Sequence, residues 1–124
     1  MRQSISYMDK RRDIEKRLND VLTSVMKIEM FVESRPKRFD VFCSDEMFRC
    51  AVLLNIAIIG EAVNHILKIE PEIHISSSRQ IVCTRNYIIH GYDSLDNEIL
   101  WSIVINHLPL LRTEVEDLLE KYKS

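Results

Sequence analysis

Glycine and proline are almost absent: two glycines and three prolines punctuate 124 residues. A many-turned β architecture needs far more chain-reversing positions, so this poverty excludes sandwiches and barrels and leaves a handful of long helices. Cysteine is scarce as well. Cys43, Cys50 and Cys83 are odd in number and form no C-x-x-C pair, which argues against a disulfide framework and a zinc site and predicts reduced, buried thiols. The four histidines show no H-E-x-x-H or comparable ligand spacing. Glu61 and His65, four apart, could share a metal, but an ordinary helix contact is the plainer expectation. No metal and no cofactor are therefore expected. Long apolar runs are lacking too. The stretch from Ala51 to Gly60 is interrupted by Asn55 and stopped by Glu61, which makes it too short and too polar to cross a bilayer. Residues Met1 to Ser6 lack the apolar centre of a secretory signal, so the expectation is a cytoplasmic protein with no membrane partner. No internal repeat or low-complexity tract is present.

What is present is apolar mass on a charged frame. With 46% hydrophobic and 29% charged residues, residues 1–124 read as a single domain with a real core. The formal charge of −2 gives no support by itself to a nucleic-acid partner. Its distribution is less even. Residues 2 to 17 carry six bases against three acids, Arg35, Lys37 and Arg38 follow, and from Asp93 onward seven acids face three bases. Such separation could present one basic face to RNA, although a solvated helix face with ordinary ion pairs fits the same pattern.

Four helices emerge from the apolar spacing. Ile14, Leu18, Val21, Val25, Ile28 and Val32 alternate in steps of four and three, a stripe expected to start after a capping Asp9 and to stop near Ser34, ahead of Pro36 and a basic loop. A second helix is expected from Ser44, with Asp45 and Glu46 in its first turn, to about Lys68. Its apolar residues cover most of its circumference, so it should be the central post of the bundle or part of a subunit interface. A third helix should start in the serine run Ser76 to Ser78 and end near Gly91. The fourth is expected to be capped by Asp96, with Leu95 and Leu100 as a hydrophobic staple, and to be kinked by Pro109, which has no N–H for the Ile105 carbonyl. Leu100, Val104, Leu108, Leu111, Val115 and Leu118 form its stripe, and Trp101 should pack against the third helix. The fold class is all-α: an up-and-down four-helix bundle with a kinked C-terminal helix.

One stretch concentrates chemistry: Arg85-Asn86-Tyr87-Ile88-Ile89-His90-Gly91-Tyr92. An arginine offers five donors in a planar fork that fits a phosphate, and a histidine titrates near neutrality and carries protons both ways. In a regular helix Asn86 and His90 share a face, whereas Arg85 lies about 140° round from His90. Arg85 and His90 can converge only if the helix ends near His90, with Gly91 at a C-cap position, or if two copies of the stretch face each other across a dimer axis. The last turn of a helix also favours a protonated imidazole. Without further context, an Arg and a His near a helix end are a surface charge and a cap.

Arg85-x-x-x-x-His90-x-Tyr92 resembles the R-x-x-x-x-H-x-Y motif of HepT-type toxins in the HEPN superfamily, with polar Asn86 directly after the arginine. Ile59-Gly60-Glu61-Ala62 is similar to that family's I-G-E-A segment, and Glu98-Ile99-Leu100-Trp101 with Leu108-Pro109-Leu110-Leu111 to its E-I-x-W and L-P-x-L segments. The likeness covers roughly residues 45 to 120, and it departs between His74 and Arg79, which lack a proline-tryptophan pair seen in many relatives. The resemblance implies a HEPN-like domain and a metal-independent endoribonuclease. It makes Arg85, Asn86 and His90 catalytic, at a composite homodimer site acting on tRNA or mRNA. It further implies a cognate minimal nucleotidyltransferase antitoxin that attaches AMP to Tyr92. The alternative is a non-catalytic HEPN subunit that partners a nucleotidyltransferase; such relatives often lack the intact motif.

Overall fold

The computed structural model describes residues 6–91 and 96–123, and of residues 86–90 the main chain alone. Among the described residues there is no strand. Helix α1 spans Tyr7–Glu33, α2 Phe39–Ser44, α3 Glu46–Ile69 and α4 Ser78–Gly91; α5, Asn97–Ser102, continues through a π-helical segment, Ile103–His107, into α6, Leu108–Tyr122. Taking α5 to α6 as one broken rod, this is the all-α four-helix bundle expected, with one extra short helix.

The six-residue stripe of α1 is buried throughout, with Leu18, Val21 and Val25 fully inaccessible. It packs on α3 and α6, and α3 packs in turn on α4. Contacts at both ends fix the α1–α3 pair as antiparallel: Asp13 meets His65 near one end, and Arg35 meets Asp45 near the other. The start of α1 differs from expectation. Ser6 is the cap, its hydroxyl accepting from the Asp9 N–H at 3.1 Å, and Asp9 stands in the first turn, where its charge favours the helix N-terminus. Asp45 rather than Ser44 caps α3, accepting from the Phe48 N–H at 3.0 Å. That bond and the Arg35 guanidinium hold the Asp45 carboxyl below the usual carboxylate range.

Two expectations are corrected around α2. The chain after Pro36 is not all loop: residues 39–44 form a turn of helix because Phe42 is fully buried there, edge-on to Phe48 at 5.2 Å and tilted against Trp101 at 5.1 Å. Trp101 thus gains a ring partner in Phe42 of α2 beside the packing expected of it, which makes the short helix the corrected element. Nor are the thiols all buried, since Cys43 is half-buried and Cys50 and Cys83 are exposed; the three are free.

Helix α3 is the central post. It contributes Phe48, Val52, Ile56, Ile59, Val63 and Ile66 to the core, and the one buried amide, Asn55, satisfies itself by donating to the Ala51 carbonyl at 2.8 Å. Its 24 residues, with a mean hydropathy of 1.8 in the most apolar window, are long and apolar enough to cross a membrane by length and composition. The expectation of too short a run thus fails, because the helix continues past Asn55 and Glu61. Its buried face packs on α1 and α4 as a bundle's core helix does.

At the fourth rod Asp96 caps α5 as expected, accepting from the Glu98 N–H at 2.8 Å, while Leu95 of the expected staple lies outside the described residues. The break before Pro109 takes the form of a π turn, in which the Leu108 N–H reaches back five residues to the Ile103 carbonyl. Pro109 then stands in the first turn of α6, where its missing N–H is not needed. Leu119, not Leu118, is the buried residue of the last turns.

Much of the expected basic face is taken up by pairing. Lys16 meets Asp20, Arg17 meets Asp13, Arg35 meets Asp45 and Arg38 meets Asp40, at 2.7 to 3.5 Å. Arg11 lies 4.7 Å over the Tyr122 ring and donates to the Lys121 carbonyl. Part of the N-terminal positive charge therefore ties α1 to α6 and to itself.

Candidate active site

Arg85, Asn86 and His90 ride on α4, and α4 is placed by a glycine. Helix propensity disfavours glycine in a helix interior by about 1 kcal/mol relative to alanine, so an interior glycine calls for a reason. Gly60, in the middle of α3, has one: a Cβ at this position would lie 2.5 Å from Arg85 Cβ, 3.1 Å from Arg85 Cγ and 3.1 Å from the Ile81 carbonyl oxygen. The backbone of α3 and the stem of Arg85 thus occupy space that any other residue would fill. Around this contact Ile81 and Thr84 are buried, the Thr84 hydroxyl donating to the Gln80 carbonyl at 2.7 Å.

The next residue of α3 reaches the other end of the same side chain. Glu61 Oε2 accepts from Arg85 Nη2 at 2.5 Å, with the arginine side chain 22% exposed and the glutamate 59%. Glu61 and His65, four apart on α3, have different hydrogen-bond partners: His65 Nε2 lies 3.0 Å from Asp13 Oδ2 on α1. The hydrogen bond from His65 holds the Asp13 carboxyl below its usual range, with Arg17 adding to the effect. Among the described residues no cluster of His, Cys, Asp and Glu has the arrangement of a metal site.

The four site residues fare differently. Arg85 is fixed between Gly60 and Glu61 on the α3 side of α4. Asn86 and His90 share α4 with it, four residues apart; their side chains, and Tyr92 altogether, lie outside the described residues. Helix α4 ends at Gly91, as expected; the convergence of Arg85 with His90, by either route, lies outside the described residues.

The exposed face of α3 leads up to this point. Met47 (80% exposed), Cys50, Leu54 (62%) and Ile58 (40%) follow one another in steps of three and four and end at Glu61. Among the described residues nothing covers this apolar stripe, which runs into the Arg85–Glu61 pair. On a different face of α4, a groove of about 370 Å³ is lined by Gln80, Cys83, Thr84, Ser102, Ile103 and His107, with His107 Nδ1 3.0 Å from the Ser77 hydroxyl.

Sequence profiles place these observations in context. The profile described as Ribonuclease HepT-like matches residues 21–118, a span that contains Gly60, Glu61 and the whole motif. A Methanocaldococcus jannaschii protein named as a candidate RNase is 30% identical over 115 residues, covering 89% of this chain and 90% of that one. A second from the same organism, also named as a candidate RNase, is 31% identical over 107 residues, covering 86% and 96%. A Thermococcus cleftensis protein named as a candidate ribonuclease HepT is 31% identical over 105 residues, covering 82% and 91%. No solved structure gives a significant match.

Proposed function

Because the chain belongs to the HepT-like ribonuclease family, we propose that it is a metal-independent endoribonuclease, the toxin of a pair whose antitoxin is a minimal nucleotidyltransferase. The observation that carries this reading is the intact Arg85-x-x-x-x-His90-x-Tyr92 inside the matched span, with Arg85 and His90 on α4. In the reaction the ribose 2′-hydroxyl gives up its proton and attacks the adjacent phosphorus. The bond to the 5′-oxygen breaks, that oxygen takes a proton, and a 2′,3′-cyclic phosphate is left. His90, in the last turn of α4, exchanges one of these protons. Arg85 neutralises charge that builds on the phosphate, and Asn86 orients His90 or binds a phosphate oxygen.

A second copy completes the site in this reading. Arg85 and His90 diverge on one regular helix, and the Met47–Leu54–Ile58 stripe runs into Arg85–Glu61, so a two-fold contact through α3 would bring two motifs to one cleft. Light scattering at micromolar concentration should give about twice 14.6 kDa. A charge in the stripe, Leu54→Glu, should yield folded monomers with little cleavage. A wild-type monomer that cuts RNA at full rate contradicts the composite site.

Tyr92, two residues past His90, is the proposed acceptor of AMP from the antitoxin. Each AMP adds at least one negative charge and considerable bulk beside the phosphate-binding Arg85, so it should silence cleavage without unfolding the bundle. Tyr92→Phe should leave cleavage largely intact and make the toxin resistant to neutralisation. Intact mass after co-expression with the nucleotidyltransferase decides the matter: AMP additions that persist in Tyr92→Phe, or never form on the wild type, contradict the assignment.

A further inference from the structure

Two successive residues of α3 hold the two ends of one α4 side chain: Gly60 accommodates the stem of Arg85, and Glu61 bonds its head at 2.5 Å. The ion pair has little to offer stability, because the carboxylate is more than half exposed and solvent screens pairs of that kind. What it supplies is direction. A guanidinium is planar and rigid, so fixing one terminal nitrogen fixes the plane and edge that the other donors present. An arginine is also costly to order, since it gives up the freedom of a long, rotamer-rich side chain. With the stem wedged against Gly60 and the head tied to Glu61, that ordering is complete before any phosphate arrives.

We infer that Glu61 is a positioning residue for Arg85, holding the guanidinium in the orientation in which it receives the phosphate at the moment of cleavage. The inference rests on the ribonuclease reading of Arg85. Glu61 does not touch the reacting atoms, and its negative charge opposes RNA binding in the ground state. Its contribution therefore falls on turnover rather than on affinity.

The test is a double-mutant cycle on the full chain, with single-turnover cleavage and substrate titration of one RNA. Glu61→Ala should lower kcat about 10- to 100-fold with KM changed less than about threefold. Glu61→Gln, which keeps an acceptor oxygen, should recover most of the loss. In the Arg85→Lys background, where an ammonium has no plane to orient, Glu61→Ala should cost nothing further. Nitrogen-detected NMR adds a readout independent of activity: the Arg85 guanidinium should rotate slowly in the wild type and freely in Glu61→Ala. Cleavage by Glu61→Ala at or above the wild-type rate overturns the inference, as does an equal loss in the Arg85→Lys background or unchanged guanidinium rotation. If Arg85→Lys itself cuts like the wild type while Glu61→Ala is impaired, the reading of Arg85 fails, and Glu61 acts by another route.

Discussion

Replacing Arg85 or His90 by alanine should reduce RNA cleavage by about 10²- to 10⁴-fold each, the range for removing one preorganised donor or one general acid or base. The double variant should lose little more than the worse single one, because groups that act on one transition state are not additive. Arg85→Lys should recover only part of the loss, since it restores charge but not the fork that matches a phosphate. Helical content by circular dichroism should be unchanged, since neither residue belongs to an apolar stripe of the sequence. Growth arrest on expression should disappear with cleavage. Arg85→Ala or His90→Ala protein that cuts at the wild-type rate would remove the motif from the chemistry.

Gly60→Ala is the second large effect, and here two magnitudes of opposite sign compete. On propensity alone, alanine in place of an interior helical glycine stabilises by about 1 kcal/mol. Against this stands the added Cβ, 2.5 Å from Arg85 Cβ, an atom fixed to the α4 backbone that cannot swing away. The helices must separate, and overpacking of this kind costs about 1–3 kcal/mol. The balance is a net loss, visible as a fall in Tm on the order of 4 °C per kcal/mol for a chain of this size. Activity should suffer more than stability: Arg85 is carried on the displaced helix, and a misplacement of about 1 Å can cost 10²-fold in rate. An alanine variant with wild-type Tm and wild-type cleavage would show that the close approach of α3 and α4 has no part in the site.

The sequence displays some of this architecture openly and hides the rest for identifiable reasons. The α1 stripe is legible because one face of a long helix is buried along its whole length, so spacing alone reports it. The Asp96 cap is legible because capping is local. Helix α2 is not: six residues are too few to show a period, and the segment is held by the burial of Phe42 between Phe48 and Trp101, residues of α3 and α5. The π turn leaves no mark in apolar spacing, and Pro109 signals only that some bond must be lost. At the site, the motif names Arg85, Asn86, His90 and Tyr92, but no argument confined to one helix can join residue 61 to residue 85. The available clue was Gly60, a costly residue for the middle of a helix, which makes sense only where another backbone comes close.

If this chain cleaves RNA through its own side chains and the ribose 2′-hydroxyl, as proposed, the product ends carry the signature of that route. Purified protein would be incubated with an end-labelled RNA in EDTA, and the fragments examined by mass spectrometry. The expected result is cleavage in the chelator, with a 2′,3′-cyclic phosphate on the upstream fragment and a 5′-hydroxyl on the downstream one. A substrate whose ribose at the cleavage position is replaced by deoxyribose should not be cut. Fragments with 3′-hydroxyl and 5′-phosphate ends, formed only when manganese or magnesium is restored, would contradict that route.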